Sequence, residues 1–191
     1  MSKVKLGGGA LLSPAPPAMI TCRDGSGKDN IITVAWTGIL CTHPPKTYIS
    51  VRPERYSYEI IKETGVFAIN LTPASLVRAA DLCGMKTGRK VDKFAACGLN
   101  KFEPDDFPVP LISESPLSLC CKVSEVVPLG SHDMFIADIV SVYADESLIN
   151  KNGRLCLYRV PLAAYSHGEY FALGEKIGDF GFSVRKKGRH K

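Results

Sequence analysis

Between residues 17 and 52, apolar and polar positions alternate in short bursts and lack the three-to-four rhythm of a helix. "PAMITCRD" (17–24), "NIITVAWTG" (30–38) and "PPKTYISVR" (44–52) each read as a strand. The "GSGKD" stretch between the first two predicts a hairpin with a long loop. Pro44 and Pro45 sit at the start of the third strand, where a missing N–H is tolerated. Further strand-like runs are "VFAINL", "LSLCCKVSEVVPL", "DMFIADIVSVYAD" and "RLCLYRV".

Helical patterning is scarce. "SYEIIKETG" (57–65) predicts a short helix with Ser57 as N-cap, Ile60 and Ile61 inward and Gly65 at its end. "TPASLVRAADLCG" (72–84) predicts a second, capped by Thr72, with Pro73 in the first turn and Gly84 closing it. "KTGRKVDKFAACG" reads as loop and a helical turn, and "KFEPDDFPVPLISESP" as irregular. "YSHGEYFALGEKIG" reads as loop with aromatic anchors. Strands outnumber helices and connections are short, which predicts a mainly β antiparallel barrel with peripheral helices. No repeat or linker divides residues 1–191, so one domain is expected, with terminal extensions at 1–10 and 183–191.

Composition narrows the function. The net charge of +5 equals the five bases of the tail, Arg185, Lys186, Lys187, Arg189 and Lys191. The body is neutral and lacks a nucleic-acid footprint. No apolar run approaches the roughly 18 residues of a membrane span. Met1 to Gly9 carry two lysines with no signal-peptide pattern after them, so a cytoplasmic protein is expected. Seven cysteines without Cys-x-x-Cys and four isolated histidines argue against a secreted disulfide framework and a structural zinc site. Most of the cysteines read as small buried hydrophobes; Cys41 and Cys83 are read the same way, the alternative for Cys41 being a thiol close to a ligand on the neighbouring strand. "GGG" at 7–9 is no dinucleotide fingerprint.

Two stretches could carry chemistry. If 30–38 is one extended strand, Ile31, Thr33, Ala35 and Thr37 share one face, while Ile32, Val34 and Trp36 share the other. The small hydroxylated face is either a solvent face or a bed for a flat ring, read at its polar edge by backbone groups. In the next strand Arg52 leads towards the helix start at Ser57. An arginine, a hydroxyl and free helix N–H groups make an anion site; the alternative is an Arg52 paired with Glu54 or Glu59 beside an ordinary cap. Lys86, Arg89, Lys90 and Lys93 form a basic loop. No nucleophile–base–acid set stands out, so any reaction falls to a cofactor.

The ordered series "PAPPAMITC", "DGSGKDNIITVAWTG", "HPPKTYISVRPERYSYEIIKETGVFAINL", "GRKVDKF" and "GSHDMFIADIVSV" resembles the flavin reductase-like, FMN-binding split-barrel family, in its flavoredoxin and ferric-reductase branch. The resemblance runs from about residue 12 to 170. It implies a six-stranded Greek-key split barrel that forms a homodimer, with FMN near the subunit interface. It also implies that Asn30, Thr33, Val34, Ala35 and Trp36, with Thr37 adjoining, lie along the flavin. Arg52, Ser57 and Tyr58 would serve the phosphate, while Lys93 and His132 would neighbour the cofactor. The family often carries Ser-Gly before its D-K-F signature; here that stretch reads "CGMKTGRK", with Thr87 and Gly88 in its place. The implied activity is electron transfer from NADH, NADPH or a protein donor, through FMN, to free flavin, ferric iron or a carrier. The rivals are a non-enzymatic electron carrier with a redox protein partner, and a β-barrel binding module without redox chemistry.

Overall fold

A computed structural model describes residues 1–184; the five bases of the tail lie outside the described residues. In chain order the elements are β1 (Ala18–Arg23), β2 (Asp29–Val34), β3 (Thr37–Thr42), β4 (Pro45–Val51), α1 (Tyr56–Thr64) and β5 (Val66–Asn70). There follow α2 (Val77–Met85), α3 (Lys93–Cys97), the two-residue strands β6 (Lys101–Phe102) and β7 (Leu111–Ile112), and the long β8 (Leu117–Pro128) and β9 (Asp133–Ala144). A hairpin of β10 (Ala163–Ser166) and β11 (Glu169–Ala172) ends the ordered topology.

The fold is mainly β, as the patterning predicts, but its main sheet has seven strands, not six. Their order is β2-β1-β5-β8-β9-β4-β3, every neighbouring pair is antiparallel, and no ladder closes the sheet into a full barrel. The extra strand arises because the 30–38 ribbon is broken. Residues up to Val34 pair with β1, residues from Thr37 pair with β4, and Ala35 and Trp36 cross between the two sheet edges. Trp36 already belongs to the second ladder: its carbonyl accepts from Ser50 N at 2.9 Å, one step beyond the Thr37–Ile49 pair. The alternation therefore holds only as far as Val34. Ile32 and Val34 face the barrel interior with Ile20, Ile49, Val51, Phe67 and Phe135. Trp36 does not join them and is 45% exposed.

α1 sets Tyr58, Ile60 and Ile61 into that interior and ends at Gly65, whose φ of 71° is the left-handed conformation glycine supplies at a helix end. On the outer face of β1 and β2, α2 and α3 bury Met19, Ile31, Ala80, Cys83 and Phe94 together. Strands covered on both faces explain why "AMITC" is continuously buried. A third cluster forms where the proline-rich 103–110 segment lays Phe107 and Val109 on Ala68 and Cys120.

Four local expectations differ. Ser57 is not the N-cap of α1; Arg55 is, because the helix begins at Tyr56, two residues earlier than a Ser57 cap would set it. Thr72 bonds its hydroxyl to Pro17 O, and α2 starts only after a 3-10 turn at Ala74–Leu76 and runs one residue past Gly84. "RLCLYRV" forms a 3-10 turn at Leu157–Arg159 instead of a strand. Residues 163–172 pair as a hairpin, its turn made by His167 at φ 48° and Gly168 at φ 93°, both positive as a two-residue hairpin turn demands.

The buried Asn70 ties the layers together. Its amide donates to Met19 O (3.0 Å) and Thr21 Oγ1 (3.2 Å), and its Oδ1 accepts from Ile112 N (3.0 Å) and Ser118 Oγ (2.7 Å). Four partners on β1, β7 and β8 then depend on one side chain. Asn70→Ala should lower unfolding free energy by about 2–4 kcal/mol through unsatisfied buried groups, seen as a fall in the urea midpoint without a change of slope; an unchanged midpoint would refute this hub.

Candidate functional site

The seam between β2 and β3 opens a cleft of about 630 Å³. That is a size usual for a small-molecule site, roughly 300–1,000 Å³. Ile32, Thr33, Val34, Ala35 and Trp36 form one wall. β2 is an edge strand, so on the side away from β1 its backbone N–H and C=O groups have no ladder partner and are free to read a ligand edge. Thr33 donates its hydroxyl to Ala80 O at 2.6 Å, which fixes β2 against α2 beneath the cleft. Facing this wall are Ser50, Val51 and Arg52 at the end of β4, and Asp81 and Met85 of α2.

The turn between β8 and β9, closed by Leu129 N to His132 O at 3.0 Å, delivers His132 to the cleft. Its ring stands 4.5 Å from that of Trp36, tilted by 42°, and Nδ1 is 3.0 Å from Ser131 Oγ. Burial and then the Arg52 charge lower the pKa of His132, favouring the neutral ring. The β10–β11 hairpin brings Tyr165, His167 and Tyr170 to the opposite rim. Tyr170 donates to Asp81 Oδ1 at 3.4 Å, and desolvation followed by that carboxylate pushes its pKa up to about 12.

A second cleft of about 280 Å³ adjoins the first; Ile32 and Arg55 line both. It holds the start of α1, with Arg55, Tyr56 and Ser57. Against these stand Asn30 of β2, Lys86, Thr87 and Gly88 after α2, and Lys93 at the head of α3. Asn30 Nδ2 donates to Ser57 Oγ at 2.7 Å. No side chain caps α1, so its positive end faces the cleft. Arg55 Nη1 reaches Gly84 O at 3.2 Å. Lys93 is 4% exposed and donates to Ile31 O (2.5 Å) and Cys83 O (2.8 Å); desolvation depresses its pKa. Neither Arg55 nor Lys93 forms an ion pair among the described residues. Three bases and an uncapped helix start give this cleft the chemistry that suits an anion, with Glu54 the only acid in its lining and that one held by Arg52 at 2.7 Å.

The expected site residues divide accordingly. Thr33, Val34, Ala35, Trp36, Arg52 and His132 meet in the larger cleft, and Asn30, Ser57 and Lys93 in the smaller. Thr37 lines neither; its hydroxyl is turned to Tyr48 O at 2.6 Å. Tyr58 lines neither; it is core, with its hydroxyl on Asp133 Oδ2 at 2.6 Å. Arg52 does not stand with Ser57. It pairs with Glu54, the alternative its sequence context left open. Sequence reasoning missed Arg55, although an arginine directly before a helix start was its signal. It missed the Tyr165–Tyr170 rim, whose signal was His-Gly between aromatic residues. Thr87 and Gly88, which replace Ser-Gly before Asp92-Lys93-Phe94, both line the smaller cleft. Asp92 caps α3 by accepting from Ala95 N at 3.2 Å, which turns Lys93 inward.

Comparison with known proteins adds four findings. The model of the "Flavin reductase like domain" family matches residues 11–174. FMN reductase (NADH) RutF of Agrobacterium fabrum is 28% identical over 121 residues, 62% of this chain and 66% of that protein. A protein of Aeropyrum pernix described as uncharacterized is 31% identical over 70% of this chain, which spans about half, 51%, of that relative's length. Among solved structures, the flavoredoxin of Desulfovibrio vulgaris (Miyazaki F) superposes with a TM-score of 0.89 at 30% identity, covering 96% of this chain and 100% of that one.

Gly88 is where the smaller cleft has no room. A Cβ there would lie 2.0 Å from Asn30 Oδ1 and 2.9 Å from Tyr56 Cδ1. Gly88→Ala should displace Asn30 from Ser57 and cost about 1–3 kcal/mol of stability, with binding of inorganic phosphate weakened alongside. Calorimetric melting and a phosphate titration check both; a variant melting and binding like the parent would contradict the packing described.

Proposed function

The chain belongs to the flavin reductase-like family, and on that premise we propose that it is an FMN-dependent oxidoreductase. It takes electrons from NADH, NADPH or a protein donor and passes them to free flavin, ferric iron or an electron carrier. The observation that carries this reading is the join of a ring-sized cleft to a cationic one through Ile32 and Arg55. A flavin ring with a phosphate at the end of its ribityl chain needs these two environments side by side.

The residues present suit that group. Arg55, Lys93, Ser57 and the first N–H groups of α1 would hold the phosphate. The unpaired edge of β2 at residues 32–34 would hydrogen-bond the polar edge of the ring, and small Ala35 lets the backbone come close. Bound FMN would supply the electron transfer chemistry; the chain supplies placement, exclusion of water and a polar surround. Trp36 and His132 form one flank of the cleft and the β10–β11 hairpin the other, leaving the mouth between them for a donor or acceptor. A neutral His132 avoids setting a second positive charge beside Arg52.

A carrier without its own NAD(P)H reaction is the second reading, favoured by the 30% identity to a flavoredoxin across the whole of that chain. A homodimer is also proposed. Trp36, Ile39 and Leu40 at the β3 edge, with Val140 and Val142 on β9, expose apolar surface that a second copy would cover.

The purified protein should bind FMN and show absorbance near roughly 370 and 450 nm. Anaerobic titration with NADH and NADPH then decides between readings: rapid bleaching marks a reductase, indifference a carrier, and failure to bind FMN removes both.

Lys93 supplies a pH test. Folding lowers its pKa, chiefly by desolvation. While both states are protonated the group therefore subtracts from stability, and the deficit fades as pH rises through the depressed folded value towards the ordinary lysine range. A phosphate in the smaller cleft favours the ammonium. FMN affinity should thus fall across that alkaline window, while affinity for riboflavin, which lacks the phosphate, should not follow it. In Lys93→Met the alkaline fall should vanish; its persistence would remove Lys93 from the phosphate site.

A further inference from the structure

Seven cysteines invite a search for paired sulfurs. Cys22 and Cys156 turn their thiols to the backbone, and Cys120 and Cys121, consecutive in β8, enter different clusters on opposite faces. Among the described residues only Cys83 and Cys97 bring sulfurs together, with Sγ atoms 4.0 Å apart and both thiols free. Cys83 sits near the end of α2, Cys97 ends α3, and the two helices share one apolar cluster.

The segment between them is the wall of the smaller cleft. It carries Lys86, Thr87 and Gly88, and Lys93 close to its other end. Lys93 is itself held by the carbonyl of Cys83. The wall thus hangs from two points whose sulfurs already face each other.

We propose that Cys83 and Cys97 form a redox-sensitive dithiol whose disulfide locks the 83–97 segment over the smaller cleft. The oxidant is a hydroperoxide, with hydrogen peroxide as the simplest. The half-buried Cys97 is the sulfur that a peroxide from solvent reaches; its attack breaks the O–O bond, leaves Cys97 as a sulfenic acid and releases one water. The Cys83 thiol then attacks that sulfur, the S–O bond breaks, and a second water leaves. The two thiols lose two electrons and two protons, and the peroxide gains both. Burial and the neighbouring Cys97 push the Cys83 pKa up to about 12, consistent with Cys83 as the resolving partner. Bonded sulfurs stand about 2 Å apart, so α2 and α3 need close by roughly that difference at most. A reducing compartment restores the thiols, which makes the link transient.

The lock itself stands on the sulfur geometry alone; what it does to ligand retention rests on the smaller cleft being the phosphate site. The experiment keeps the two apart by using no flavin. Lys86, Arg89 and Lys90 are exposed trypsin sites inside the segment. After peroxide treatment the intact protein should lose about 2 Da, with peptides containing Cys83 and Cys97 joined. Trypsin cutting at those three sites should slow by at least about threefold, because the opened segment becomes rarer. Dithiothreitol should reverse both effects, and Cys97→Ser should show neither. Thiols that stay reduced, sulfinic acid on one cysteine with the other free, or a disulfide that leaves the cutting rate unchanged would each overturn the proposal. Failure of the untreated protein to bind FMN would instead overturn the flavin reading and leave these results standing.

Discussion

Two residues, Ala35 and Trp36, hold the opposite edges of one sheet together. β2 is the first strand of the seven and β3 the last, yet they are consecutive in the chain. Three peptide steps from Val34 to Thr37 reach at most about 11 Å. The sheet has to curl until its edges come that close, and the curl creates the interior that Phe67, Phe135 and the isoleucines fill. The edges cannot also pair along their length, because the crossing residues leave one ladder before entering the other. A seam is the necessary result, and Trp36, whose carbonyl accepts from Ser50 N, is where the chain has joined the β4 ladder. The larger cleft is that seam.

The constraint also accounts for which residues face a ligand. Unpaired backbone along β2 is a hazard on an ordinary edge. Here α2 covers its outer face, the Thr33–Ala80 bond keeps that cover in place, and residues 32–34 of the edge line the cleft. Bulges in the β8–β9 pairing, between Cys120 and Cys121 and between Val123 and Glu125, bend the long hairpin round the interior. His132, at the tip of that hairpin, thereby meets Trp36 at the seam. Residues nearly a hundred positions apart become neighbours because the sheet closes on itself.

Much of this was legible in the residues. Strand-like runs located six of the seven strands of the main sheet, all but β3, and the family resemblance pointed through residues 33–36 to the cleft wall. What stayed hidden was tertiary in origin. Alternation from 30 to 38 assumes one uninterrupted strand, and nothing local announces that Trp36 changes partners. Ser57 looked like a cap by residue type, but its hydroxyl is engaged by Asn30 from a strand 27 positions earlier. That tertiary bond engages the hydroxyl that capping would use, and Arg55, not Ser57, stands at the helix start. The 163–172 hairpin was masked because its strands are four residues each and depend on the bridge between Ala15 and Tyr165, which periodicity cannot show.

Charge along β2 shows why the smaller cleft is a place for a ligand and not merely a gap. At its start, Asp29 is matched inside the chain: Arg23 and Lys101 each approach it at 2.7 Å, and Arg23 also holds Glu103. One residue on, the pattern reverses. Asn30 is neutral and its amide is occupied by Ser57, while Lys93 is buried on carbonyl oxygens with no carboxylate paired to it among the described residues. Burying an ammonium this way disfavours its charge, as the depressed pKa of Lys93 records. Core packing alone would favour a methionine there. An anion entering the cleft removes that disadvantage and meets Arg55 and the helix start together, so the destabilisation carried by the empty arrangement becomes affinity in the filled one. The same strand that closes its charges at Asp29 leaves them open at Lys93, and that asymmetry is what a dianionic phosphate would complete.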